Sequence, residues 1–339
     1  MKLLVFFTAS LLAGLAYSAQ ISDHNRTLPR PHPSGPPPSF PPAISEKFFL
    51  DSQAVYTADH DIVKILTPLN AINSDSGIVT FIVLADVQEN GDKVDQGLYR
   101  LKDGQATKLL DNGRDAAASN VDTKTAYFAA SDGIYSYNAA ENKAEKYGTV
   151  TDDLISIAKV NGSDVIYALT AANVLLKVTE EGTKKEVVDK VVNAQEIILD
   201  RQNNLYFYTG DKTVYVLVGD EVRKIEGLPA NPSYLNIINP PFVLKNGVPV
   251  IVDNKSYIAY ENGKSKLGII DFAVRPTAYS IEATFIQYYG YNKKVYEYAI
   301  IPKELIVGLV TDIVSFFGIV SDSILFIIHL VAIWANVCT

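Results

Sequence analysis

The sequence predicts an all-β fold, a six-bladed β-propeller, and three observations carry that prediction. First, one script recurs six times between Ile78 and Ala299: an aromatic-rich strand, an Asp, Asn or Gly turn, a second strand built around Tyr or Leu, then a charged hairpin and a third strand. Second, the period is roughly 36 to 46 residues of strand and turn throughout, so each unit is a small antiparallel sheet that needs neighbours to bury its faces. Third, the last unit lacks an outer strand while an unclaimed strand precedes the first, which suits radial closure of a ring.

The core strands read VTFIVLAD from Val79, TAYFAASD from Thr125, DVIYALTA from Asp164, NLYFYTGD from Asn204, VPVIVDNK from Val248 and TFIQYYGY from Thr284. Their partners begin at Gly97, Gly133, Asn173, Thr213, Ser256 and Lys294. Inner strands are expected at AASNVD, LISIAKV, EIILD, YLNIIN and AYSIEA, and outer ones from Ala106, Lys143, Lys184, Val222 and Lys264. Pro302 blocks an outer strand after Ala299, so Ile62 to Leu66 of DIVKIL is expected to pair beside KVYEYA and complete the sixth blade. The aromatics Tyr127, Phe128, Tyr135, Tyr206, Phe207 and Tyr215 read as packing between blades, since large rings dominate core energetics.

Four regions follow. Residues 1–19 have one Lys, an apolar run and small residues near Ala16 to Ala19, the pattern of a cleaved secretory signal. Residues 20–44 carry RTLPRPHPSGPPPSFPP, whose prolines forbid helix, so an extended solvated arm acting as a spacer is expected. Residues 45–301 form the propeller. Residues 302–339 are apolar, with Asp312 and Asp322 the only charges after Leu305, and a helical tail is expected. Ser323 to Thr339 is at the short limit for spanning a bilayer, and lengthening it buries Asp322. Membrane association through residues 305–339, a cleaved lipid-anchor signal lacking its polar spacer, and a non-native end all stay open for it.

Sequons at Asn25, Asn161 and Asn254 and a net charge of -8 fit a secreted, glycosylated protein and argue against nucleic acid as a partner. The lone cysteine, Cys338, forms no internal disulfide, so the core must hold the fold. The histidines are His24, His32, His60 and His329, none inside a repeat. A His-assisted nucleophile, a zinc site and a haem site are therefore excluded there, and no cofactor is expected. The loop DVQENGDKVDQG from Asp86 resembles a calcium loop only faintly, because Gly97 stands where the bidentate Glu belongs; a solvated hairpin is the expectation.

Propellers gather the loops that lead into their inner strands around one mouth of the central channel. Here those loops carry Asn70, Arg114 with Asp115, Asp152 with Asp153, Asn193 with Gln195, Tyr234, and Arg275 with Tyr279. Taken singly these are ordinary turn-formers. As a set, Asn70, Arg114, Asp153, Gln195, Tyr234, Arg275 and Tyr279 suit a planar, anionic, hydrogen-bonding small molecule, because Arg forks match carboxylates and stack on rings.

The run from DIVKIL through VDTKTAYFAASDGIYSYN, LDRQNNLYFYTGDKTVYVLVGDEVRKIEGLP and PPFVLKNGVPVIVDNKSYIAYENG resembles the insect ommochrome-binding proteins, over about Asp61 to Ile301. That resemblance implies a secreted haemolymph carrier of tryptophan-derived phenoxazinone pigments, binding without turnover. It supplies no pigment-contacting residues. Two other classes stay open: a calcium-dependent lactonase or esterase, to which Asp153, Asn70 and Asn193 would contribute, and a structural or adhesion propeller.

Overall fold

The described residues of the computed structural model are 43–299, less 74–76, 120–121 and 123. Within them the chain forms six four-stranded antiparallel sheets. From the channel outward, blade 1 is Asp61–Leu66, Thr80–Val87, Lys93–Lys102 and Gln105–Leu110. Blade 2 is Gly113–Ala117, Tyr127–Ala130, Gly133–Asn138 and Lys143–Lys146; blade 3 is Leu154–Lys159, Ile166–Thr170, Leu175–Thr179 and Lys184–Val187. Blade 4 is Ala194–Leu199, Leu205–Thr209, Val214–Val218 and Glu221–Lys224; blade 5 is Leu235–Ile237, Gly247–Val252, Lys255–Tyr260 and Ser265–Asp271. Blade 6 is Ala278–Ser280, Ile286–Tyr291, Lys294–Ala299 and, from the other end of the chain, Ala54–Thr57. The inner strands of blades 6, 1, 2, 3, 4 and 5 pack side by side in that succession.

The sixth blade corrects the expected register. Its outer strand is Ala54–Thr57, with Ala54 opposite Tyr296 and Thr57 opposite Lys294. Ile62 to Leu66 instead lies in the inner strand of blade 1, with Ile65 opposite Ile82. Blade 2 shifts similarly: its inner strand is Gly113–Ala117, upstream of the expected AASNVD. The signal, most of the arm, Asn25 and the expected helical tail lie outside the described residues.

Strand alternation explains how one strand serves two seams. Phe128 packs with Phe81 and Tyr137 between blades 1 and 2, whereas Tyr127 packs with Tyr147 and Leu154 between blades 2 and 3. Likewise Phe207 and Tyr215 fill the seam of blades 3 and 4, and Tyr206 that of blades 4 and 5. Successive side chains point to opposite faces, so an aromatic pair such as Tyr206–Phe207 joins three blades. Each fully buried ring contributes about 2 to 3 kcal/mol of transfer free energy. The aromatics thus pack between blades as the sequence led us to expect.

The turn glycines are fixed by space as well as torsion. At Gly133 φ is +127° and a Cβ would stand 2.0 Å from the Val150 carbonyl oxygen, so no other residue fits that turn. The loop DVQENGDKVDQG is a hairpin of blade 1, closed by Gly91 N–H donating to the Gln88 carbonyl and Gln88 N–H to that of Asp92.

Candidate functional site

The channel has two ends, here called upper, where the inner strands begin, and lower, where they finish. Its middle is polar and joins the blades. Asp115, buried on the inner strand of blade 2, accepts four hydrogen bonds: from Lys64 Nζ at 2.8 Å, Ala116 N–H at 2.8 Å, Ser156 Oγ at 2.9 Å and Ile157 N–H at 2.9 Å. Those donors belong to blades 1, 2 and 3. Burial works against the charge of Lys64, yet Asp115, Glu196 and Glu282 together outweigh it and raise its pKa. Removing one partner of such a pair strands the other, at a cost of about 3 to 5 kcal/mol.

At the upper end the expected residues separate into two groups. Arg114 starts the inner strand of blade 2, not a loop, and its guanidinium is held by Asp95 at 2.7 Å and by Asp153. Its fork is occupied. Gln195 donates to the carbonyl and side-chain oxygens of Asn193 at 3.1 and 3.2 Å, a local loop contact. On the other side, the exposed Arg275 lies over the Tyr234 ring at 4.3 Å. Among the described residues no carboxylate stands within ion-pair distance of Arg275. Tyr279 is 8% exposed and packs in the aromatic cluster of blades 5 and 6 against Tyr234. Its hydroxyl has no partner among the described residues. Burial pushes its pKa well up, with the Tyr234 and Tyr289 phenols adding to that.

Asn70 is corrected. Because Asp61–Leu66 is an inner strand, Asn70 follows it and lies at the lower end, donating to the Ser119 carbonyl at 3.0 Å. It cannot join Asp153 and Asn193 around one ion, so that calcium trio does not assemble. Among the described residues no group of three His, Cys, Asp or Glu is placed to hold a metal. His60, between the outer strand of blade 6 and the inner strand of blade 1, is hydrogen-bonded at 2.8 Å to Asp86, which also accepts from Gln96.

Two cavities lie along the axis. The lower one, about 70 Å³, is lined by the ends of inner strands, among them Leu66, Ala117, Lys159, Leu199 and Asn239, with Glu282. The other, about 30 Å³, lies between blades 1, 4, 5 and 6 and is lined by Lys64, Glu196, Asn236, Thr277 and Tyr279. Glu196 was missed by the sequence, which favoured its neighbour Gln195. Burial raises the Glu196 pKa, and Lys64 offsets only part of that.

No family model matches this chain, and no curated protein matches it. Solved structures match in fold. A structural-genomics protein of unknown function from Bacteroides thetaiotaomicron is 11% identical, with 71% of this chain aligned to 69% of that one at a TM-score of 0.50. PorZ, a surface component of the type-IX secretion system of Porphyromonas gingivalis, is 11% identical at a TM-score of 0.46 over 72% of this chain, which spans 37% of the PorZ chain. The WD40 repeats of RRP9 are 10% identical at a TM-score of 0.45, over 73% of this chain and 96% of that one. Likeness at these identities shows the fold alone.

Proposed function

We propose that this chain is a secreted, non-catalytic propeller that carries a small planar anionic aromatic metabolite, of the ommochrome type that its sequence resemblance implies, at the upper mouth beside blades 5 and 6. The observation that carries this reading is the exposed Arg275 guanidinium stacked 4.3 Å over Tyr234 without a carboxylate partner among the described residues. A stacked guanidinium keeps its edge free, so its N–H fork meets a carboxylate in the plane of a ring lying on the tyrosines. Arg114, by contrast, is already neutralised by Asp95 and Asp153. Beside the pair stand the Tyr279 phenol and the Asp253 carboxylate, which accepts from the Tyr234 N–H; carriage without turnover is what the resemblance implies. The one described histidine is tied to Asp86 on blade 1. Secretion rests on the signal-like start of the chain and the three sequons.

Titration of xanthommatin into the wild type, followed by absorbance, tests the proposal. Saturable binding is expected, weakened about tenfold or more in Arg275→Ala, the usual worth of a charge-assisted hydrogen bond. Absence of saturable binding to the wild type rejects carriage. Tight binding unchanged in both Arg275→Ala and Tyr234→Ala rejects this mouth as the site.

A further inference from the structure

Glu196 sits on the inner strand of blade 4 and lines the 30 Å³ cavity together with Lys64, Asn236 and Tyr279. Among the described residues no donor hydrogen-bonds its carboxyl group, unlike Asp115 with its four donors. Lys64 faces Asp115, Glu196 and Glu282 but is in contact with Asp115, at 2.8 Å. Glu196 is thus left without an ion-pair partner among the described residues. Tyr279 also lines this cavity; it is nine-tenths buried, and its hydroxyl has no partner among the described residues. The Tyr208 and Tyr234 phenols feel the Glu196 charge from the mouth, as does Lys93 at the base of the blade 1 hairpin.

These groups form an acceptor pocket beneath an aromatic rim. Glu196, the Tyr279 oxygen and the Asn236 amide oxygen are acceptors for N–H donors, and tyrosine faces attract cations. The cavity has room for about two waters or for one ammonium group. Outside it, Arg275 and Lys93 carry the opposite charge.

We infer that the ligand of this mouth carries a protonated amine as well as its carboxylate, and that Glu196 is the residue that selects for the amine. This rests on the upper-mouth reading above. The ammonium enters the cavity and is held by Glu196 and Tyr279, the ring lies beside Tyr234 and its stacked Arg275, and the carboxylate meets the edge of Arg275. Binding gives the unpartnered Tyr279 hydroxyl a donor and the half-buried Glu196 carboxylate a charge partner, whereas a ligand lacking the amine leaves both as they are.

Tryptophan and 3-indolepropionate differ only by the amine, and calorimetric titration of both into the wild-type protein separates the two claims. Tryptophan is expected to bind about tenfold or more tighter than 3-indolepropionate. Glu196→Gln is expected to remove that difference while leaving 3-indolepropionate binding intact, and Arg275→Ala to weaken both. Equal affinities in the wild type, or tighter binding of 3-indolepropionate, overturn the role of Glu196 while leaving the mouth in place. If neither compound saturates while xanthommatin does, the amine pocket falls and the mouth stands; if xanthommatin also fails to saturate, the mouth falls with it. The wild-type comparison needs no variant to fold.

Discussion

Two acids on neighbouring parts of the same channel have opposite energetics. Asp115 accepts four hydrogen bonds that tie blades 1, 2 and 3, whereas Glu196 faces the cavity without a donor among the described residues. Burial therefore raises the pKa of Glu196 above the ordinary 4.5, with Lys64 opposing it only in part. The sign of the linkage follows. Below pH 4.5 the group is protonated in both states and adds no pH dependence; as pH rises, the unfolded chain ionises first and folding stability falls until the raised folded pKa is passed. Glu196→Gln is accordingly expected to stabilise the protein at pH 7, on the order of 1 kcal/mol, and to lose that gain near pH 4. Urea midpoints at the two pH values check this, and a variant less stable at pH 7 contradicts it. Glu196 was hard to read in the sequence because strand parity decides whether it or Gln195 faces the channel, and a one-residue ambiguity at the strand start reverses the answer.

At the scale of elements, the N-terminal outer strand joins the two ends of the described chain. Ala54–Thr57 pairs with Lys294–Ala299, and ahead of it Phe48 stacks on Tyr298 at 4.3 Å and Phe49 on Tyr291 at 4.3 Å. The Tyr298 hydroxyl donates to the Phe48 carbonyl, and Ile44 bridges to Phe272 at the end of blade 5. A chain begun at Asp61 loses all of these contacts and exposes the edge of Lys294–Ala299 to other molecules. It is expected to melt lower and aggregate, whereas a chain begun at residue 43 keeps the wild-type midpoint; thermal scans with light scattering distinguish them. Equal melting of the two chains shows that the strand contributes nothing. The six repeats were legible because turn residues and aromatic alternation recur at a fixed spacing. The closing register was not, for a physical reason: Lys64 in DIVKIL resembles the charge of an edge strand, and only the channel, with Asp115 waiting inside it, makes a lysine suitable for an innermost one. Gly113–Ala117 was obscured in the same way, since GRDAA has turn composition until Asp115 is given its four donors.

The whole molecule has two mouths with different chemistry: the Asn70 side-chain oxygen lacks a partner near the lower one and the Tyr279 hydroxyl near the upper one, among the described residues. At the lower end the charges satisfy one another: Lys159 binds Asp122 at 2.9 Å and the Val160 carbonyl at 3.0 Å. Glu282 there accepts from Ser280 at 2.6 Å and Asn239 at 2.9 Å. Asn161, a sequon, lines that lower cavity, so a glycan on it stands over the lower opening. Asn254, the other described sequon, is exposed and follows Asp253, which accepts from the Ser233 hydroxyl and the Tyr234 N–H at the upper mouth. Arg275, stacked on Tyr234, and the Tyr279 hydroxyl, which has no partner among the described residues, are both at the upper end. If binding takes place there, the lower mouth is a bystander. Asn161→Gln is therefore expected to leave xanthommatin affinity within about twofold of wild type. A tenfold loss in that variant moves the site to the lower cavity, because the only feature changed stands at its rim, across the full depth of the channel from Arg275 and Tyr234.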